Sequence, residues 1–167
     1  ETASIDYDFL QNNGDGSNKI SADRHGTAVA GVIGAENNGT GTTGVAYGAD
    51  ITSYRLISNQ GLTGSTVADA LDHASVDIFN NSWGWQDAFV SYNLHTPILS
   101  GLETQATANN KIFVFSAGND GDIGDNANYS LLTSSPYTIT VGAVDSDGTM
   151  SSFSTPGAPV LISAPGS

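Results

Sequence analysis

Three short runs of β-branched and aromatic residues do most to restrict how this chain can fold. They are VDIFNNS (76–82), KIFVFSAGN (111–119) and YTITVGAV (137–144). Each has strand length and strand composition, and the first two read as buried strands. DITSYRLI (50–57) has the same character, and PVLISAPG (159–166) starts like a further strand and stops. Between the runs the period changes. Residues 65–74 bring Val67, Ala70, Leu71 and Ala74 onto one helical face, and residues 97–109 form a second peripheral helix with Leu99, Leu102 and Ala106 inward. Strands alternating with helices predict an α/β fold: a mostly parallel twisted sheet with right-handed crossovers, flanked by helices on both faces. In such sheets function gathers at the carboxyl ends of the strands. The polar segments Asn80-Asn81-Ser82 and Ser116 to Asn119 stand at those ends.

The N-terminal part reads differently. Residues 1–22 are polar and turn-rich, and NNGDGSN (12–18) is a loop by composition. DRHGTAVAGVIG (23–34) follows, and its Ala, Val and Ile suit a buried, closely packed helix reaching about Ala35. Gly26, Gly31 and Gly34 each weaken such a helix by up to ~1 kcal/mol relative to alanine. Their presence implies close backbone approach. ENNGTGTTG (36–44) is a polar loop. No repeat, low-complexity tract or linker interrupts residues 1–167, so one domain is expected.

Charge narrows the partners. Acidic residues number 17 against 4 basic ones, for a formal net charge of −13. A nucleic acid needs a basic footprint, and an anionic membrane surface needs one too. Cation binding, a cationic substrate or plain solubility fits the balance. Without cysteine there is no disulfide framework and no thiolate metal site. No apolar run approaches the ~20 residues of a membrane span. No signal peptide opens the chain, so any such segment is expected to be removed or to lie outside it.

Two residues stand out as carriers of chemistry. His25 sits where a loop becomes a helix and suits a general base. Asn119 ends a strand beside a glycine and offers an amide N–H to a developing oxyanion, the bland alternative being a turn residue. His73, late in a helix, and His95, in a loop, have no motif around them and are expected at the surface.

HGTAVAG (25–31), NNSWG (80–84) and SAGN (116–119) resemble, in order, the histidine, substrate-binding and oxyanion-hole motifs of the subtilisin-like serine peptidases. SIDYDF (4–9), NNSWGWQD (80–87), IFVFSAGNDGDIGDNANY (112–129) and YTITVGAVDSDG (137–148) are most similar to the kexin/furin branch. The resemblance implies a subtilisin-like catalytic domain that hydrolyses peptide bonds with an Asp–His–Ser triad. His25 would be the base, with Gly26 and Thr27 letting its helix start close to the nucleophile. Asn119 would supply the side-chain half of the oxyanion hole. Ser82, Trp83 and Gly84 would run beside the substrate backbone, and Ala117 and Gly118 would line the other wall of its pocket. The triad aspartate's motif lies upstream of the histidine in the family, and Asp6 and Asp8 resemble the loop after it. The family's nucleophile motif lies downstream of an APG segment, so Ser167 is not expected to be the nucleophile. These 167 residues are thus expected to be the middle of a catalytic domain, without turnover on their own.

The resemblance also implies calcium (Ca2+). The carbonyls of Glu36, Thr40 and Thr42 and the side chain of Asn38 would hold one ion, as a hard cation requires. Asp87 and Asp125 stand at two positions of a second site, and Thr155 replaces its third acid. The branch prefers Arg or Lys before the cleaved bond because acids line the pocket. Asp87 is kept, whereas Ser130 stands where another acid is expected, so the preference should be relaxed. Asp23 would favour a basic residue one step further from the bond. A peptide or protein substrate, a propeptide or companion β-domain, and a secreted or otherwise extracytoplasmic location follow from the same resemblance. Two other readings remain: a non-catalytic peptide-binding module of the same fold, and a calcium-binding structural domain.

Overall fold

The computed structural model describes residues 6–21, 23–57, 63–72, 76–84 and 92–167. The chain forms two compact units, Glu1–Ala70 and Leu71–Ser167.

In the first unit the polar opening stretch holds a strand that its composition does not advertise. Strand β1 (Tyr7–Asp8) pairs in parallel with β2 (Tyr54–Arg55), with Tyr7 opposite Tyr54 and Asp8 opposite Arg55. The eight-residue strand expected at 50–57 therefore shrinks to two residues, because β1 offers a ladder only two residues long. Between them lies α1 (Arg24–Gly34). None of its residues is fully buried, and Val32 is 70% exposed. The expectation of a buried helix is thus corrected: within the described residues nothing closes over this apolar surface. The glycines need the same correction. Among the described residues a Cβ at Gly26 or Gly31 would meet nothing within 4 Å, so of these three only Gly34 serves close packing there, against Ile51. The loop after α1 closes through Gly44, whose N–H donates to the Ala35 carbonyl at 2.8 Å. A Cβ there would come within 2.5 Å of the Gly34 and Ala35 nitrogens, which excludes any side chain.

Helix α2 (Gly64–Asp72) carries Val67, Ala70 and Leu71 on its buried face, as its period predicts. Ala74, His73 and Asp87 fall outside the described residues.

The second unit is built on a four-stranded parallel sheet. Strands β3 (Ile78–Asn81), β4 (Ile112–Ser116), β5 (Thr138–Val144) and β6 (Val160–Pro165) lie in chain order, all parallel. Burial alternates along β3 and β4, so that Phe79, Phe113 and Phe115 point into the core while Ile78 is 61% exposed. The expectation of strands buried throughout is therefore corrected to half-buried ones. Phe79 stacks on Phe113 with ring centroids 4.8 Å apart. Strand β6 runs on through Pro165 instead of stopping, which an edge strand tolerates because proline's missing N–H can face away from the ladder.

Helix α3 (Tyr92–Ala108) begins before the expected Pro97 and carries that proline inside it. Its inner face is Ile98, Leu102 and Gln105, at helical spacing. Leu99 and Ala106 are half-buried, so the face is rotated by about one residue from the expected one. Gln105 is drawn inward because its amide donates to Asp72 at 2.8 Å and its carbonyl accepts from Asn109 at 2.9 Å. A buried polar group with partners costs little.

Candidate active site

Strand β3 ends at Asn81, opposite Phe115, one residue before the end of β4. The two chains leave the sheet side by side, and a cavity of about 560 Å3 opens at their carboxyl ends. Ser82, Trp83 and Gly84 form one wall, and Ala117, Gly118 and Asn119 form another. All six of these residues were singled out in the sequence, and the structure brings them around one space. The Trp83 indole packs edge-on against Phe115, 5.6 Å between centroids, which fixes the first wall to the sheet. Asn80 donates to the Ser82 hydroxyl at 2.9 Å. Among the described residues a Cβ on Gly84 would meet nothing within 4 Å.

The second wall turns sharply. Ala117 still donates to Val141 of β5 at 2.9 Å, and Gly118 then takes φ +114, a conformation that side chains resist. Asn119 follows, exposed at the cavity's edge, with its side-chain amide hydrogen-bonded to nothing among the described residues. A donor group held open at a strand end can meet negative charge in a bound molecule.

Phe115 and Ser116 of β4 also line the cavity, and the rest comes from residues 120–133, including Asp120, Asp125, Tyr129, Ser130, Leu132 and Thr133. Asn126 caps a short 3-10 turn (Ala127–Tyr129) by accepting from Asn128 at 3.0 Å. Buried Thr133 donates to Ala127 at 2.6 Å, and Thr140 of β5 donates to Thr133 at 2.8 Å, so the wall is tied to the sheet. Asp120 and Asp125 give this space a negative lining. Phe115, Leu132 and Thr133 escaped sequence reasoning. Phe115 belongs to a run read only as a buried strand, and Leu132 and Thr133 come from a stretch with no motif.

In the first unit, His25 is the second residue of α1 and is exposed. Asp23, the residue before that helix, makes no capping bond and instead pairs with Arg55 at 3.2 Å. Its charge is therefore already shared within the unit. Arg55 also pairs with fully buried Asp8 at 3.0 Å. Burial alone would raise the Asp8 pKa, but amide bonds from Gln11 and Leu10 and the Arg55 guanidinium together hold it below the ordinary carboxylate value.

The loop 36–44 curls on itself. The Asn38 side-chain carbonyl accepts from Thr40 at 3.0 Å, and the Glu36 carbonyl accepts from Asn38 at 3.0 Å. Gly39 and Gly41 both take left-handed φ, which permits the curl. Among the described residues no three His, Asp or Glu side chains gather as a metal cluster. No helix there is long and apolar enough to cross a membrane.

The family model described as the Subtilase family matches residues 3–167. Kexin of Saccharomyces cerevisiae is 36% identical over 149 residues, covering 83% of this chain and 18% of that protein. The chain thus spans about a fifth of the length of the curated relatives it matches. A cold-adapted subtilisin-like serine proteinase of known structure superposes with a TM-score of 0.75 at 31% identity, over 96% of this chain and 54% of that one. A serine protease of Aeromonas sobria, solved in complex with its chaperone, gives a TM-score of 0.88 at 22% identity, over 98% and 32%. That second likeness concerns the fold alone.

Proposed function

The chain belongs to the subtilase family, and on that premise we propose that the whole protein is a serine endopeptidase working through an Asp–His–Ser triad. The observation that carries this reading is the cavity at the carboxyl ends of β3 and β4, where Asn119 stands beside two backbone walls. A peptide laid along residues 82–84 would place its carbonyl for attack, and the Asn119 amide would donate to the oxyanion that forms. His25 would take the nucleophile's proton and return it to the leaving amine. Asp8, enclosed by two amides and Arg55, is not assigned the triad aspartate's role, and Ser167 is not assigned the nucleophile's.

The preferred substrate has a basic residue before the scissile bond, with relaxed selectivity. Asp120 and Asp125 at the cavity support it, and Ser130, a neutral residue in the same lining, supports the relaxation. Asp87 belongs to the same expectation and lies outside the described residues. Equal turnover of matched Leu and Arg peptides would overturn this preference.

Calcium belongs to the proposal at the loop 36–44. The oxygen donors there, the carbonyls of Glu36, Thr40 and Thr42 and the Asn38 side chain, suit a hard cation, and the ion would cross-link the loop without entering the reaction. The second site keeps only part of its donor set, because neutral Thr155 stands at its third acid's position beside Asp125, and Asp87 lies outside the described residues. A propeptide or companion β-domain and an extracytoplasmic location complete the reading.

The test is labelling of the complete protein by a fluorophosphonate, with peptide hydrolysis measured alongside. Covalent labelling, and loss of hydrolysis by about 10⁴-fold or more in His25→Ala, are expected. An unlabelled protein that binds peptides without cleaving them would favour the non-catalytic module.

A further inference from the structure

Asn119 can stabilise an oxyanion only if its backbone is held, and its own side chain does none of the holding. The β4–β5 ladder ends just before it, with Ser116 opposite Val141. Two hydrogen bonds then bracket Asn119, and both go to one residue. The Thr155 N–H donates to the Gly118 carbonyl at 3.1 Å. The Thr155 hydroxyl accepts from the Asp120 N–H, also at 3.1 Å. Gly118 and Asp120 are the residues on either side of Asn119.

Thr155 is suited to the task. It is 1% exposed, so water does not compete for its bonds. Its own segment is anchored: Pro156 accepts from Ala127 at 2.8 Å, and the Ser154 hydroxyl accepts from Ala143 of β5 at 2.9 Å. The Gly118 α-carbon lies directly against it, since a Cβ there would fall 2.6 Å from the Thr155 hydroxyl oxygen. Yet Thr155 does not line the cavity. It touches the turn that presents Asn119 and not the space a substrate would fill.

We infer that Thr155 is a positioning residue for Asn119, holding the 118–120 turn so that the amide is aimed before substrate arrives. The inference rests on Asn119 acting as the oxyanion donor. It predicts a defect in kcat more than in KM, because the wall formed by residues 82–84 still holds the substrate backbone while the donor on the opposite wall loses its aim.

The experiment is a double-mutant cycle in the complete enzyme, measuring kcat and KM on a peptide amide. Asn119→Ala is expected to lower kcat by about 10²–10³-fold, the range known for removing such a donor in a related protease. Thr155→Val, which keeps the shape and removes the hydroxyl, is expected to lower kcat by about tenfold with KM within about twofold. Thr155→Ser is expected to restore kcat. In the Asn119→Ala background, Thr155→Val is expected to do nothing further, because a residue acting through Asn119 has nothing left to act on. If Asn119→Ala lowers kcat while Thr155→Val leaves it unchanged, the inference about Thr155 fails and the role of Asn119 stands. The inference also fails if Thr155→Val costs the same factor with and without Asn119, since that marks a merely structural role. If Asn119→Ala leaves kcat unchanged, the role of Asn119 fails and the inference falls with it. Should Thr155→Val not fold, as judged by its melting curve, Thr155→Ala reads the same cycle.

Discussion

Asp8 has no exposed surface, and its carboxylate is met by two backbone amides and by Arg55, which also reaches Asp23 at the start of α1. One guanidinium thereby joins the β1–β2 pair to the helix that carries His25. Because the folded pKa of Asp8 is depressed, its stabilising contribution is complete above the unfolded carboxylate value of about 4 and is lost as pH falls through the folded value. Asp8→Asn should therefore lower Tm at neutral pH, on the order of 5 °C, and the difference from the parent should shrink as pH falls through that range. Melting curves from pH 7 down to pH 2 would check this, and a Tm difference independent of pH would refute it. Gly44 presents the opposite case, a position defined by what it lacks. Gly44→Ala places a methyl 2.5 Å from two backbone nitrogens and should destabilise by about 1–3 kcal/mol, read by denaturant unfolding. Neither residue's structural role announced itself in the sequence. Asp8 and its partner Arg55 are 47 positions apart, and a glycine in ENNGTGTTG looks like any other turn residue.

At the scale of elements, the strands were the most legible part. The apolar run IFVFS marks a strand, and the structure adds that only one side of its pleat is buried, the side of Phe113 and Phe115. Phe113 is 1% exposed and stacks on Phe79, so Phe113→Ala should cost about 3–5 kcal/mol in chemical denaturation. The inner face of α3 was less legible, because Ile98 and Leu99 are adjacent and both apolar. Only packing chose Ile98, which is fully buried. Ile98→Ala should therefore cost about 2–5 kcal/mol and Leu99→Ala clearly less, and the reverse order would restore the original reading of the helix. Helix α1 was misread for a related reason. Small apolar residues describe a surface able to be covered, and they do not say what covers it.

Across the whole molecule the net charge of −13 acts over distances longer than any single contact. If the complete protein cleaves peptides beside basic residues, raising ionic strength from low to about 0.5 M should reduce kcat/KM for an Arg peptide by about 2–10-fold and leave a neutral peptide nearly unaffected. Stopped assays over a salt series would measure it, and parallel losses for both peptides would point to a general salt effect on the enzyme. Calcium belongs at this scale too. Chelation should lower Tm and added calcium should restore it, if the loop 36–44 holds an ion.

The sequence by itself determined the strand runs β3, β4 and β5, the parallel α/β class and the polar segments at the strand ends. Periodicity and turn chemistry are local, so a few neighbouring residues carry them. Tertiary structure alone decided that Tyr7–Asp8 is a strand, that Arg55 pairs with Asp8 and Asp23, and that Thr155 brackets Asn119 from 35 residues beyond Asp120. Contacts of that reach leave no pattern in either partner's neighbourhood. They exist only once the chain has closed the loop between them.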